Sequence, residues 1–102
     1  MHPRLRIRTC RRDGRYVLKL DGEVDGSTAC RALDALSHVP PETLEVVLDL
    51  SALTVVEAFG LEVLGRGLRR LLGRRRVCFQ GSPRLLPVLT ALASSLTGEH
   101  RM

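Results

Sequence analysis

The stretch 46–60 changes its hydrophobic pattern part-way along, and this change constrains the fold more than any other feature. It opens with an apolar run, residues 46–48, interrupted only at Asp49. Such a run is typical of a strand buried on both faces of a sheet. Beyond it, leucines recur three and four positions apart, as on the buried face of a helix: Leu61, Leu64, Leu68, Leu71 and Leu72. The pattern predicts strand, loop and helix, and the loop follows the carboxyl end of a buried strand, where α/β sheets usually carry their sites.

Two strands and a helix are predicted before this stretch. Residues 5–10 alternate between apolar and polar, residues 16–20 form a second strand, and the turn at 11–14 joins them into a hairpin. Asp25 or Ser27 caps the following helix, which ends before two prolines at 40–41.

The carboxyl-terminal part adds a strand at 77–79 and a helix that begins at Ser82-Pro83. The order is therefore β-β-α-β-α-β-α, an α/β fold with a mixed sheet of about four strands covered by about three helices. We predict a single domain over residues 1–102, with a core at about 5–95 and frayed tails at 1–4 and 96–102. The predicted core contains Leu33, Leu36, Val47, Leu64, Leu68, Leu71 and Leu89.

Composition indicates a soluble cytoplasmic protein. The chain is 44% hydrophobic and 26% charged, with neither a run long enough to span a membrane nor a signal peptide. Its three cysteines are far apart and are expected to be reduced and buried: Cys10, Cys30 and Cys78. Arginine supplies all but one of the 16 basic residues, in clusters at 4–15 and 66–76. We expect the second cluster on the solvent side: Arg69, Arg70, Arg74, Arg75 and Arg76.

The residue types needed for catalysis do not converge in the sequence. His2, His38 and His100 have no partner at metal-ligand spacing, so neither a metal site nor a cofactor is expected. Asp49 and Glu57 have no histidine or lysine between them to complete an acid–base pair. We therefore predict that the protein is not an enzyme.

Two segments resemble the STAS domain family, named for sulfate transporters and anti-sigma factor antagonists. Residues 46–61 are similar to the family's core signature, an apolar strand ending in Asp-Leu-Ser, a short loop, and Asp-Ser-Ser-Gly-Leu at the start of a helix. Residues 18–25 resemble the family's preceding strand and Gly-Glu-Leu-Asp turn. In anti-sigma factor antagonists, a kinase that is itself the anti-sigma factor phosphorylates the second serine of the signature and so releases the antagonist.

This chain departs from the family at the phosphorylation site. Glu57 stands for the aspartate, Ala58 for the first serine and Phe59 for the phosphorylated serine. Phenylalanine has no hydroxyl group, so the resemblance implies no phosphorylation at the usual position. A displaced phosphorylation site at Ser51 or Thr54 is an alternative. The Phe59 ring either packs under the loop or remains exposed as an anchor for a partner.

The resemblance implies a non-catalytic protein–protein interaction module with an anti-sigma factor or related kinase-like regulator as partner. It is expected to dock through residues 54–62 and the exposed side of the following helix. The predicted partner-binding residues are Thr54, Glu57, Ala58, Phe59, Gly60 and Glu62. One alternative is the STAS subunit of a lipid-transport ABC complex. Another is a nucleic-acid-binding protein that uses the arginine clusters, although the chain has only three aromatic residues and no nucleic-acid-binding motif. The sequence leaves the partner's identity and the oligomeric state open.

Overall fold

A computed structural model confirms the α/β class and describes residues 4–72, 75–81, 84 and 87. The described elements are β1 (Leu5–Arg12), β2 (Arg15–Val24), α1 (Gly26–Leu36), β3 (Glu45–Val56), α2 (Ala58–Leu72) and β4 (Arg76–Gln80). This part of the chain thus holds four strands and two helices. The predicted third helix from Ser82 lies outside the described residues, except for Arg84 and Pro87.

The four strands form one mixed sheet in the order β1-β2-β3-β4. The first two are antiparallel, whereas β3 is parallel to both β2 and β4. The predicted hairpin is confirmed, and its loop is only two residues long: Asp13 and Gly14 have φ of 50° and 78°. Both values fit a tight turn between twisted strands, for which Asp-Gly is a preferred sequence. The apolar strand β3 lies inside the sheet, as predicted.

The hydrophobic core lies between one face of the sheet and both helices. Strand residues Leu18, Leu20, Leu48 and Leu50 pack there with residues of α1 and α2. Val47 is 6% exposed but stands apart from this cluster, because successive residues of a strand point to opposite faces. On that opposite face Asp49 is half-buried and Ser51 is exposed, so β3 is buried mainly on its core face and the predicted burial on both faces is confirmed only at Val47.

The predicted core is confirmed for four of its seven residues: Leu36, Val47, Leu64 and Leu68. Leu33 is only half-buried, and Leu89 lies outside the described residues. The prediction for Leu71 is wrong, since it is 37% exposed. The buried stripe of α2 follows residues 64, 68 and 72, and Leu71 falls at its border.

The predicted boundary between the central strand and the next helix is also wrong. Strand β3 continues to Val56, and α2 begins at Ala58, so that Glu57 alone connects them. The strand continues because Val55 and Val56 pair with β2. The helix starts early because the Leu61 N–H already donates to the Glu57 carbonyl over 2.9 Å.

All three cysteines are exposed, which contradicts their predicted burial. Cys10 and Cys78 lie on the sheet face opposite the core cluster, and Cys30 lies on the outer side of α1. The Cys78 thiol donates to the Glu45 carboxylate over 3.3 Å, and this bond raises the pKa of the thiol above its ordinary value. The prediction of burial, which rested only on the apolar character of cysteine, was therefore wrong.

The second arginine cluster is largely exposed, as predicted. Arg69, Arg70 and Arg76 face solvent, whereas Arg75 is half-buried. The Arg75 N–H donates to the Leu72 carbonyl over 3.0 Å, at the end of α2. Arg74 lies outside the described residues.

Candidate functional site

Two strand-to-helix turns lie side by side at the carboxyl ends of β2 and β3. Val24 ends β2 opposite Val56, which ends β3, and the Glu57 N–H donates to the Val24 carbonyl over 2.9 Å. Each strand then leads directly into a helix, α1 after Asp25 and α2 after Glu57. The parallel pairing therefore brings the amino-terminal turns of both helices together, and the residues that carry the family resemblance lie in this pair of turns.

Glycine at position 60 lets the first turn of α2 pack closely against the start of α1. Gly60 is buried, and a Cβ atom there would lie 2.5–2.7 Å from backbone atoms of Asp25. Contact at that distance is not possible for a side chain, so any other residue would force the turns apart. The role of Gly60 in the site is to allow this close approach.

The Phe59 ring is exposed at the same turn. The residue is 66% exposed, so its ring does not pack under the loop. One edge of the ring lies over Gly26, where a Cβ atom would be 2.7 Å from the Phe59 Cδ2 atom. Val55, at the end of β3, is 46% exposed, and Ala58 is exposed as well. The turn therefore presents a small apolar surface. Its largest side chain, Phe59, contacts Gly26 on one side of the ring.

Asp25 fixes the neighbouring turn through a capping box. Its Oδ1 atom accepts bonds from the N–H groups of Ser27 and Thr28, both at 2.9 Å, and the Thr28 hydroxyl accepts a bond from the Asp25 N–H at 2.8 Å. The Arg4 guanidinium also binds the Asp25 carboxylate. The bond from the Thr28 N–H is the main reason why the pKa of Asp25 falls to about 2, with the Ser27 side chain and Arg4 adding to the effect.

We expect the replacement Asp25→Asn to reduce stability in a pH-dependent way. Asparagine remains a good helix cap but carries no charge. Above about pH 4 the wild-type protein should be the more stable, because the folded state favours the ionised carboxylate. This advantage should disappear as the pH falls from about 4 to about 2, since the unfolded chain takes up the proton first.

Urea unfolding of both proteins across this pH range measures the difference. A stability difference that stayed constant from neutral pH down to about pH 2 would show that the charge of Asp25 has no role.

The other predicted partner-binding residues lie around the Phe59 turn. Thr54 lies in β3 rather than in a loop, and its hydroxyl donates to the Gly22 carbonyl over 3.0 Å. Glu57 is exposed and has no ion pair within the described part of the chain. Glu62 is exposed and pairs with Arg66 over 2.6 Å, one helical turn further on. These residues form a surface suited to contact with another macromolecule.

Two residues that shape the site could not be recognised from the sequence. Gly26 supports the Phe59 ring, and Arg4 binds the Asp25 carboxylate from a distance of 21 residues along the chain. The sequence predicted either Asp25 or Ser27 as the helix cap, and Asp25 takes that role. Thr28 completes the capping box at the position where glutamate or glutamine is the usual signal. Contacts between distant segments leave no comparable local pattern.

The described residues form an α/β domain of the STAS type. It has a mixed four-stranded sheet, two helices on one face, and paired strand-to-helix turns at the carboxyl ends of β2 and β3. The STAS domain family model matches residues 6–84, and the chain belongs to this family. A comparison with curated proteins found no match. Within the described residues, no helix has both the length and the apolar character needed to cross a membrane.

Solved structures share this fold. An anti-sigma factor antagonist from Mycobacterium paratuberculosis superposes with a TM-score of 0.67 and 24% identity, over 92% of this chain and 78% of the other. The crystal structure of Mglu superposes with a TM-score of 0.68 and 29% identity, over 76% of this chain. The match spans only 20% of the Mglu chain, so it concerns one part of a longer protein.

Proposed function

We propose that this STAS domain is a non-catalytic interaction module that docks onto a partner protein through the first turn of α2. The observation that carries the proposal is the position of Phe59, a large apolar side chain that is 66% exposed and lies over Gly26. Aromatic side chains that are exposed in the free protein and held in place are frequent anchors at protein interfaces. Because Gly26 restricts the ring on one side, less conformational freedom is lost on binding.

The partner that fits best is an anti-sigma factor or a related kinase-like regulator. Two observations support this choice: the structural similarity to an anti-sigma factor antagonist, and the position of Phe59 where the family resemblance places the phosphorylated serine. Family members carry a phosphorylation switch at that position. In this chain Phe59 instead adds apolar contact surface there.

Binding is proposed to be independent of phosphorylation. Position 59 has no hydroxyl group, and the hydroxyl groups at the two alternative positions, Ser51 and Thr54, are already hydrogen-bonded. The Ser51 hydroxyl donates to the Asp49 carboxylate over 2.6 Å, and the Thr54 hydroxyl donates to the Gly22 carbonyl. A phosphate on Ser51 would place negative charge beside the Asp49 carboxylate, which is unfavourable.

We expect the replacement Phe59→Ala to weaken partner binding by about fivefold or more, which corresponds to about 1 kcal/mol. Stability should change by less than about 1 kcal/mol, because most of the ring is already in contact with solvent. The immobilised domain can capture its partner from a lysate of the native host, and titration of the purified partner then gives the affinity. Added ATP should leave the affinity of the wild-type domain unchanged.

Three further variants sharpen this test. Leu44→Ala removes an apolar side chain that is 77% exposed elsewhere, so it should leave binding unaffected. Gly26→Ala keeps the Phe59 ring but displaces it, and should weaken binding. Phe59→Ser restores a hydroxyl at the family position and gives a cognate kinase an acceptor. The proposal fails if Phe59→Ala binds as tightly as the wild type, or if ATP-dependent phosphate appears on Ser51 or Thr54 of the unaltered protein.

A further inference from the structure

Strand β1 forms an exposed edge of the sheet, and only its amino-terminal end lies near the turns that hold Asp25 and Phe59. Among the described strands it pairs only with β2, and its residues from Arg8 to Arg12 are all exposed. In an antiparallel pair, every second residue directs its N–H and C=O groups away from the neighbouring strand. An eight-residue strand therefore offers a row of unpaired backbone groups.

The hairpin turn fixes which residues of β1 carry these free groups. The two-residue loop makes Arg12 and Arg15 the closing pair, which exchanges hydrogen bonds. Alternation then directs the backbone groups of Thr9 and Ile7 outwards. The bond from the Glu23 N–H to the Arg4 carbonyl, 2.7 Å long, continues the same alternation beyond the strand. The edge can thus accept another strand without any change in the β1–β2 pairing.

One face of this edge carries a row of arginines. Arg6, Arg8 and Arg12 share a face of the strand, and each is exposed and without an ion-pair partner among the described residues. On β2, Lys19 lies opposite Arg8 and adds a further positive charge, while Asp21 lies opposite Arg6 and supplies one negative charge, so the face remains positive in sum. Pairing β1 with the β1 strand of a second copy would bring arginines together, and directly opposed like charges are destabilising. The charges therefore favour a partner strand that carries carboxylates.

The other face of the edge is apolar around Ile7 and polar towards Thr9 and Arg11. Ile7 is half-buried, and it lines a depression of about 400 Å³ between β1 and α1 together with Cys30, Arg31, Asp34 and Ala35. A strand added beside β1 would direct alternate side chains into this depression. The remaining side chains would lie next to the arginines, at the same two-residue spacing.

We propose that the β1 edge binds an extended segment of a partner protein in which carboxylate and apolar side chains alternate. The segment adds to the sheet as a further strand, with its carboxylates beside Arg6 and Arg8 and its apolar side chains in the depression beside Ile7. This mode of recognition is known as β-augmentation. Single-stranded nucleic acid fits less well, because binding it commonly uses aromatic stacking, and no aromatic residue lies on the arginine face. Tyr16 and Phe79 pack towards the core, and Phe59 lies on α2.

A synthetic peptide of alternating glutamate and valine, as long as β1, tests the proposal by fluorescence titration. We expect it to bind more tightly than a peptide of alternating lysine and valine, and more tightly than one with the same glutamates and valines in two blocks. Binding should weaken with added salt, because the charges involved are exposed. N-methylation of alternate peptide amides should abolish it by removing the backbone donors.

Two protein variants, each with a matched control, identify the edge itself. Thr9→Pro removes an outward N–H group that β2 does not use, a change that edge strands tolerate, and should weaken binding about tenfold or more. Thr9→Val retains the N–H group and should bind within about twofold of the wild type. The double change Arg6→Glu with Arg8→Glu should also weaken binding about tenfold, whereas Arg70→Glu on α2 should not. Circular dichroism verifies that each variant is folded.

The proposal is overturned if the wild-type protein does not distinguish the glutamate peptide from the lysine peptide, or if Thr9→Pro and Thr9→Val bind alike. Should Thr9→Pro fail to fold, the N-methylated peptide provides the test instead. If it binds as tightly as the unmodified peptide, the proposal is overturned. A single-stranded oligonucleotide that binds more tightly than the peptide, with no effect of Thr9→Pro, would assign the arginines to phosphate contacts instead. Phe59→Ala should leave peptide binding unchanged, which separates this site from the docking turn.

Discussion

Leu48→Ala is expected to lower the free energy of unfolding by about 2–5 kcal/mol. Leu48 is fully buried in the interior strand β3, with Leu18 and Phe79 as its neighbours on β2 and β4. Truncation removes buried apolar surface and leaves a cavity that the two flanking strands prevent from closing. Since a domain of this kind is stable by only about 5–15 kcal/mol, the loss would be a large part of the total. Urea unfolding followed by circular dichroism measures it.

Leu44→Ala provides the matched control for this prediction. Leu44 is the same residue type four positions earlier, but it is 77% exposed. The change should alter stability by no more than about 0.5 kcal/mol, because little contact is lost. Comparable effects for the two leucines would mean that the core does not lie on the face of the sheet described above.

Gly60→Ala should reduce stability by about 1–3 kcal/mol, although alanine is the better helix former by about 1 kcal/mol. The added methyl group would lie 2.5–2.7 Å from backbone atoms of Asp25, and backbone in a capped turn has little freedom to move. The first turn of α2 must therefore shift away from α1. Thermal or urea unfolding would report the loss.

Gly67→Ala, in the same helix, is the appropriate comparison. Its methyl group would also come too close to a neighbour, but that neighbour is the Leu33 side chain, at 2.2–2.8 Å. Leu33 is half-buried beside a depression of about 430 Å³ and has room to rotate. We expect Gly67→Ala to be clearly less destabilising than Gly60→Ala. Equal effects would contradict the view that rigid backbone makes position 60 special.

The docking turn and the β1 edge have separate requirements. The proposed docking through Phe59 depends on how α1 and α2 begin, whereas the proposed strand addition depends on the free edge of the hairpin. Variants at positions 59 and 9 should therefore act independently, as expected for distant sites. One domain could then hold a folded regulator and an extended segment at the same time.

Local sequence patterns determined most of the fold. The apolar run of β3, the leucine spacing of α2 and the Asp-Gly turn of the hairpin each gave the correct element, because periodicity and turn chemistry act over a few residues. The residues around Phe59 likewise pointed to the family that the comparison confirmed. The exact start of α2 was missed, because pairing with β2 extends β3 by several residues.

Tertiary structure decided what these elements present to a partner. The sequence allowed Phe59 to be buried or exposed, and the outcome depends on Gly26, which lies 33 positions away and supports the ring without covering it. Likewise, the arginines of β1 form a row at a free edge only because β1 ends the sheet. Strand order and the packing of one turn against another arise from contacts between distant segments, and no local pattern encodes them. The sequence by itself therefore determined the elements and the family, whereas the tertiary structure determined which side chains are available for binding.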